Sequence, residues 1–133
     1  MTGVQTCALP IYVVQALERL KPRYTLAILS NGDRDMLEAA KPHIGFAFDY
    51  VISVQEAGYF KPHWKTYAKA EEILGEDKSN ILFVANHAFD CIGAKAYGMR
   101  TAFIDRRKRP FGVTRHQPDI IVQDFSELAD KFA

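Results

Sequence analysis

Cysteine is nearly absent from this chain: its 133 residues contain only Cys7 and Cys91, with neither metal-ligand spacing nor the paired set from which a disulfide framework is built. A disulfide-stapled domain and a cysteine zinc site are thereby excluded, and a reducing cytoplasm is the expected location. Charge of one sign is lacking too. Lys and Arg number 17 against 16 Asp and Glu, a formal net charge of +1, so nothing in the overall charge pulls the chain toward nucleic acid or an anionic membrane. No apolar run approaches the roughly 20 residues needed to cross a bilayer. What is present, 48% hydrophobic and 25% charged residues, is enough to bury a core in one globular domain, and small-molecule chemistry is the expected activity.

The first residues stand apart. Residues 2–11 read TGVQTCALPI, without the basic start or the long apolar stretch of a signal peptide. The string is similar to the translation of a common sequencing-library adapter. The expected organisation is therefore a non-native leader over 1–11, in which Cys7 has no function, and the protein proper over 12–133.

From residue 12 onward, helical and strand patterns alternate. Val13, Val14, Leu17 and Leu20 recur at helical spacing before Lys21-Pro22, predicting a short helix over 12–20. An apolar run over 24–29 predicts a strand buried on both faces, ending at Ser30-Asn31-Gly32. A helix over 34–41 is expected next, with Asp33 as N-cap, Met36, Leu37 and Ala40 inward, and Pro42 closing it. The β-branched stretch 49–54 predicts a second strand. Lys61-Pro62 is expected to open a helix with Pro62 in its first turn, Tyr67, Ala70, Ile73 and Leu74 inward, and Gly75 as cap. Strands over 80–85, 100–104 and 119–122, and helices over 88–97 and 126–132, complete the pattern, with Gly98 ending the first of those helices. The charged segment 105–118 reads as a loop. This alternation implies an α/β fold with a parallel sheet, in which ligands sit at the carboxyl ends of the strands.

Those strand ends carry the polar residues. Leu29 to Asp33 reads LSNGD, Phe60 to Tyr67 reads FKPHWKTY, and Leu82 to Arg106 reads LFVANHAFDCIGAKAYGMRTAFIDR. In this order and spacing the three motifs resemble the type II 2-haloacid dehalogenases of the HAD hydrolase superfamily, over most of the chain from Tyr12 onward. The resemblance implies a three-layer, Rossmann-like core. It also implies an Asp nucleophile on an earlier strand and a helical cap, neither of which is recognised in the sequence. None of Asp33, Asp35 or Asp49 lies in a pattern that would substitute for that Asp.

By resemblance, the residues divide into two groups. Ser30 and Asn31 would hold the substrate carboxylate and receive the departing halide, aided by N–H groups at a helix start, although Ser-Asn-Gly is also simply a good turn. Lys61 would balance the carboxylates around the reacting carbon, and Asp90 would pair with it and place the hydrolytic water. Taken without the resemblance, Lys61 also reads as a solvated lysine and Asp90 as a carboxylate favoured by a helix start. Tyr67 fits either the site or the core. His87 stands where the family carries Asn, and three readings stay open: it orients water, it serves as base because imidazole titrates near neutrality, or it only fills space.

The implied activity is halide release from short 2-haloacids through an aspartyl ester, with no cofactor or metal and no nucleic-acid or membrane partner. A homodimer of the full-length parent is left open. As it stands, the chain would be inactive for want of the nucleophile. One alternative is a magnesium-dependent phosphatase of the same superfamily. That reading requires an extra carboxylate before the Asp90 helix, because Mg²⁺ is held by oxygen ligands, whereas Ala85 and Asn86 stand there. The other alternative is a non-catalytic anion-binding module at Ser30 and Asn31. The basic run Arg106 to Arg109 reads as a solvated loop, and His43, His63 and His116 have no ligand spacing.

Overall fold

The apolar spacing of Val13, Ala16, Leu17 and Leu20 produces helix α1 (Ile11–Leu20), and all four side chains are buried. The computed structural model describes residues 9–133, so most of the expected leader lies outside the described residues. Of the remainder, the Leu9 N–H donates to the Ile44 carbonyl at 3.1 Å and Pro10 precedes α1 as its N-cap. The chain forms two compact units, one running up to Gln55 and including Phe125–Ala133, the other Glu56–Asp124.

In the first unit, α1 is followed by β1 (Ala27–Ser30), α2 (Arg34–Ile44) and β2 (Tyr50–Ser53), with β1 and β2 paired in parallel so that Ser30 lies opposite Ser53. The predicted strand over 24–29 starts late. Arg23 and Tyr24 donate to the Leu20 carbonyl and prolong the turn after α1, and the Asp49 carboxylate takes the Leu26 N–H at 2.8 Å. Nor is the strand buried on both faces: Ala27 is exposed and the other three residues are half-buried, and among the described residues β1 pairs with β2 alone. Pro42 does not close α2. It sits inside the last turn, and Gly45, at φ 86°, ends the helix, since a left-handed residue stops a helix where proline merely forgoes one N–H. Leu37 and Ala40 are half-buried as expected, but Met36 is 53% exposed. The final helix of the chain (Phe125–Phe132) packs on α1, where Ala129 meets Ala16 and Leu20 with Phe125 and Phe132 alongside. Arg19 pairs with Asp130 at its rim, at 2.9 Å.

The second unit holds α3 (Trp64–Leu74), β3 (Leu82–Ala85), α4 (Ala88–Tyr97), β4 (Arg100–Ile104) and β5 (Ile120–Val122). The Phe125–Phe132 helix of the first unit is thus α5. The sheet order is β3-β4-β5 and both pairings are parallel, as strand–helix–strand alternation requires. Pro62 is not in α3. The His63 ring accepts the Lys65 N–H and so places the cap one residue after the proline. Helix α4 has the predicted bounds, ended by Gly98 at φ 118°. Cys91, Ala94 and Met99 join Ala102, Phe103, Ile104 and Val122 in the buried interior. Among the described residues, no helix is long and apolar enough to cross a membrane.

Candidate functional site

In the first unit, β1 runs into the Ser30-Asn31-Gly32 turn and then into α2. The Ser30 hydroxyl accepts the Gly32 N–H at 3.0 Å, which leaves its own hydrogen available to an acceptor. Ser53, directly across the ladder, donates from its hydroxyl to the Gly32 carbonyl at 2.6 Å and accepts the Gln55 N–H at 3.1 Å. The Gln55 side chain then accepts the Arg34 N–H at 3.0 Å, and Asp33 takes the Met36 N–H at 2.8 Å. The expected anion cradle is narrower than the sequence implied, because the N–H groups of Gly32, Arg34 and Met36 already have acceptors. Sequence reasoning missed Ser53 and Gln55 as the residues that set this turn. Only the register of β1 on β2 brings them there.

The second unit brings Lys61, Tyr67 and Asp90 together. Asp90 lies in the first turn of α4 and is only 8% exposed. Each of its carboxylate oxygens has a donor: Lys61 Nζ lies 2.8 Å from Oδ2 and the Tyr67 hydroxyl 2.7 Å from Oδ1. Phe83 of β3 packs beside both donors, its ring edge-on to Tyr67 at 5.4 Å and 5.8 Å from Lys61 Nζ. The side chains of the Lys61–Asp90 pair are about as enclosed as each other, at 12% and 11% exposure. Removing one member of such a pair strands the other's charge, at a cost of about 3–5 kcal/mol.

Burial holds the Tyr67 phenol far above its ordinary range, with the Asp90 charge and the hydrogen bond to it acting in the same direction. Tyr67 is therefore a fixed donor, not a base. The same influences, burial first and then the Asp90 charge, push the neighbouring Cys91 thiol up to about 12, which keeps it neutral and unsuited to nucleophilic attack. Gly93, one turn beyond Asp90, is what lets α3 approach: a Cβ there would lie 2.7 Å from the Tyr67 hydroxyl and 2.7 Å from Pro62 Cβ. Tyr67 thus belongs to the cluster and to the packed interior at once, and Gly93 is a third residue, after Ser53 and Gln55, that sequence reasoning did not single out.

His87 is the N-cap of α4 but its side chain makes no capping bond. It is exposed, with its ring 5.9 Å from that of Phe89, and it is not hydrogen-bonded into the Lys61–Tyr67–Asp90 cluster. The donor set does not suit a magnesium ion: both Asp90 oxygens are committed, and Ala85 and Asn86 supply no second carboxylate at the helix start. Among the described residues, no three His, Cys, Asp or Glu side chains are grouped to hold a metal.

Comparison with known proteins gives a concordant result. The family model for a hydrolase, described as haloacid dehalogenase-like hydrolase, matches residues 4–98. An (S)-2-haloacid dehalogenase of Pseudomonas sp. (strain YL) is 37% identical over 123 residues, covering 90% of this chain and 53% of the relative. The chain thus spans about half the length of the curated relative it matches. Among solved structures, an L-2-haloacid dehalogenase superposes with a TM-score of 0.88 at 30% identity, over 96% of this chain and 59% of the other. The L-2-haloacid dehalogenase of Xanthobacter autotrophicus with chloropropionic acid covalently bound superposes with a TM-score of 0.76 at 32% identity, over 88% and 58% of the two chains.

Proposed function

Because the chain belongs to the haloacid dehalogenase-like hydrolases, we propose that it is the Lys61–Asp90 part of a 2-haloacid dehalogenase that releases halide from short 2-haloacids. The observation that carries this reading is the enclosed Asp90 carboxylate, held on one oxygen by Lys61 and on the other by Tyr67. A carboxylate so fixed cannot swing to become a nucleophile, but it can hold a lysine and a water in place.

In the proposed reaction, a nucleophilic Asp from the half of the relatives' length that this chain does not match attacks the carbon bearing the halogen. Halide leaves with the bonding electron pair, and an ester remains. Water then adds to the ester carbonyl, the acyl–oxygen bond breaks, and the 2-hydroxy acid departs while the Asp is regenerated. Lys61 offsets the gathered negative charge, Asp90 positions the water, and Ser30 and Asn31 take the substrate carboxylate and the halide. His87, exposed at the start of α4, orients or deprotonates the water. The covalently bound chloropropionic acid in the Xanthobacter relative supports a covalent route. No metal is needed, since polar groups receive the halide. A cytoplasmic location belongs to the same proposal, as it suits the buried free thiol of Cys91.

The test restores a family-type N-terminal segment and cap to residues 12–133. A halide electrode should register chloride or bromide release from a 2-haloacid, undiminished by chelator. Lys61→Met should lower turnover about a hundredfold or more, and Asp90→Asn should let the ester accumulate as a mass increase on intact protein. Phosphate release from monoesters only with Mg²⁺, and no halide from any 2-haloacid, would replace this reading with the phosphatase. Anion binding without turnover would replace it with the non-catalytic module.

A further inference from the structure

His63 has no ligand spacing with the other histidines, yet its ring ties together the two ends of the segment that carries Lys61. It stacks on Tyr59, before Lys61, with centroids 4.0 Å apart and planes 17° from parallel. It also caps α3, after Lys61, where Nδ1 accepts the Lys65 N–H at 3.1 Å. The His63 backbone serves the same turn. Its carbonyl accepts the Thr66 N–H at 3.0 Å and the Thr66 hydroxyl at 2.7 Å, and Thr66 is fully buried. Its own N–H donates to the Phe60 carbonyl at 3.0 Å. Lys61 stands two residues before this ring and Tyr67 four after it, and these are the residues that hold the Asp90 carboxylate.

We propose that His63 is a positioning residue for the Lys61–Asp90 pair, and that protonating its ring slackens the pair. An imidazole nitrogen accepts a hydrogen bond only while it carries no hydrogen, so the cap needs the neutral ring with its hydrogen on Nε2. Protonation turns Nδ1 into a donor aimed at the Lys65 N–H, and the cap is lost. It also puts a positive charge at the positive end of α3, near the Lys65 ammonium, which lies 4.9 Å from the Tyr59 ring and 5.7 Å from that of Trp64. The further titratable groups of this turn and of the helix packed on it are Tyr59, its hydroxyl 3.4 Å from Lys65 Nζ, Lys61, Tyr67 and, on α4, Asp90 and Cys91. The Tyr59 face attracts an imidazolium, so the ring stays in place while its hold on the helix goes. Lys61 and Tyr67 then lose their shared anchor at the start of α3. That the pair belongs to a reacting site rests on the function proposed above; its positioning by His63 does not.

The isotope-labelled 133-residue chain is titrated by heteronuclear NMR from about pH 8 to about pH 5, the range in which imidazole changes charge. As the His63 ring carbons titrate, the Lys65 amide should lose protection roughly fivefold or more once the intrinsic exchange rate is divided out. The Asp90 carboxyl carbon and the Lys61 side-chain nitrogen should shift with the same midpoint. Asparagine caps a helix without titrating, so His63→Asn should keep Lys65 protected and flatten all three responses. His63→Ala should show the low-pH protection of Lys65 at every pH, and His43→Asn, in the other unit, should leave the responses intact. Three results would overturn the proposal: an Asp90 midpoint in the parent that departs from that of His63, responses that survive in His63→Asn, or a Lys65 amide equally protected at both ends of the titration. The first and last are read on the parent protein and need no variant to fold. Since no turnover is measured, a failed halide assay leaves this test standing, and a failed titration leaves the dehalogenase reading as it was.

Discussion

Replacing Gly93 by Ala sets two physical effects against each other in α4. Alanine is the better helix former by about 0.5–1 kcal/mol, so an open site would gain stability. Gly93 is not an open site. Its added Cβ would lie 2.7 Å from Pro62 Cβ, 2.7 Å from the Tyr67 hydroxyl and 3.0 Å from Tyr67 Cε2, and Tyr67 is fully buried. Overpacking of this kind costs about 1–3 kcal/mol. If Tyr67 retreats, its bond to Asp90 is lost as well, and a hydrogen bond to a charged group contributes about 1.5–3 kcal/mol. The net expectation is a loss of about 2–3 kcal/mol after the propensity gain. Urea unfolding at unchanged slope should register this as a midpoint about 1–2 M lower. In a Tyr67→Phe background the closest polar contact is absent, so Gly93→Ala should cost at least about 1 kcal/mol less than in the parent. A more stable Gly93→Ala protein, or costs that add within about 0.5 kcal/mol, would refute the claim that Gly93 seats Tyr67 against Asp90.

Three further outcomes follow from the same structure. Asp33→Ala removes the acceptor of the Met36 N–H and should cost about 1 kcal/mol in chemical denaturation; no change would mean that Gln55 alone secures the start of α2. Asp119 should give a pH signature. Burial alone would raise its pKa, but the Lys95 hydrogen bond, the Thr101 N–H and the Lys95 charge together outweigh that and hold the carboxyl below its ordinary value of 3.8. A depressed folded-state pKa stabilises above the unfolded value and is lost as pH falls through the folded one. The thermal-stability gap between parent and Asp119→Asn should therefore be widest near neutrality and shrink below about pH 4; a gap unchanged down to pH 3 would sink this reading. Finally, Lys61→Met in the chain as it stands should lower stability by about 3–5 kcal/mol, measurable by the same denaturation, whereas a solvated lysine would cost almost nothing.

Much of this molecule was legible residue by residue. Helical spacing identified α1, glycine stops located the ends of α3 and α4, and three motifs in order identified the family, because each depends on neighbours within a few positions along the chain. Proline was read too strongly: Pro42 lies within α2 and Pro62 precedes α3, since the cap that decides each boundary comes from Gly45 or His63. Tertiary structure decided what sequence order cannot express. Parallel pairing set Ser53 opposite Ser30 and brought the Gln55 side chain to the Arg34 N–H. The close approach of α3 to α4, open only because Gly93 lacks a Cβ, joined Lys61, Tyr67 and Asp90 across 29 positions of sequence. Local pattern specifies where chain segments start and stop, whereas which charges share a partner depends on distances of a few ångströms that only packing sets.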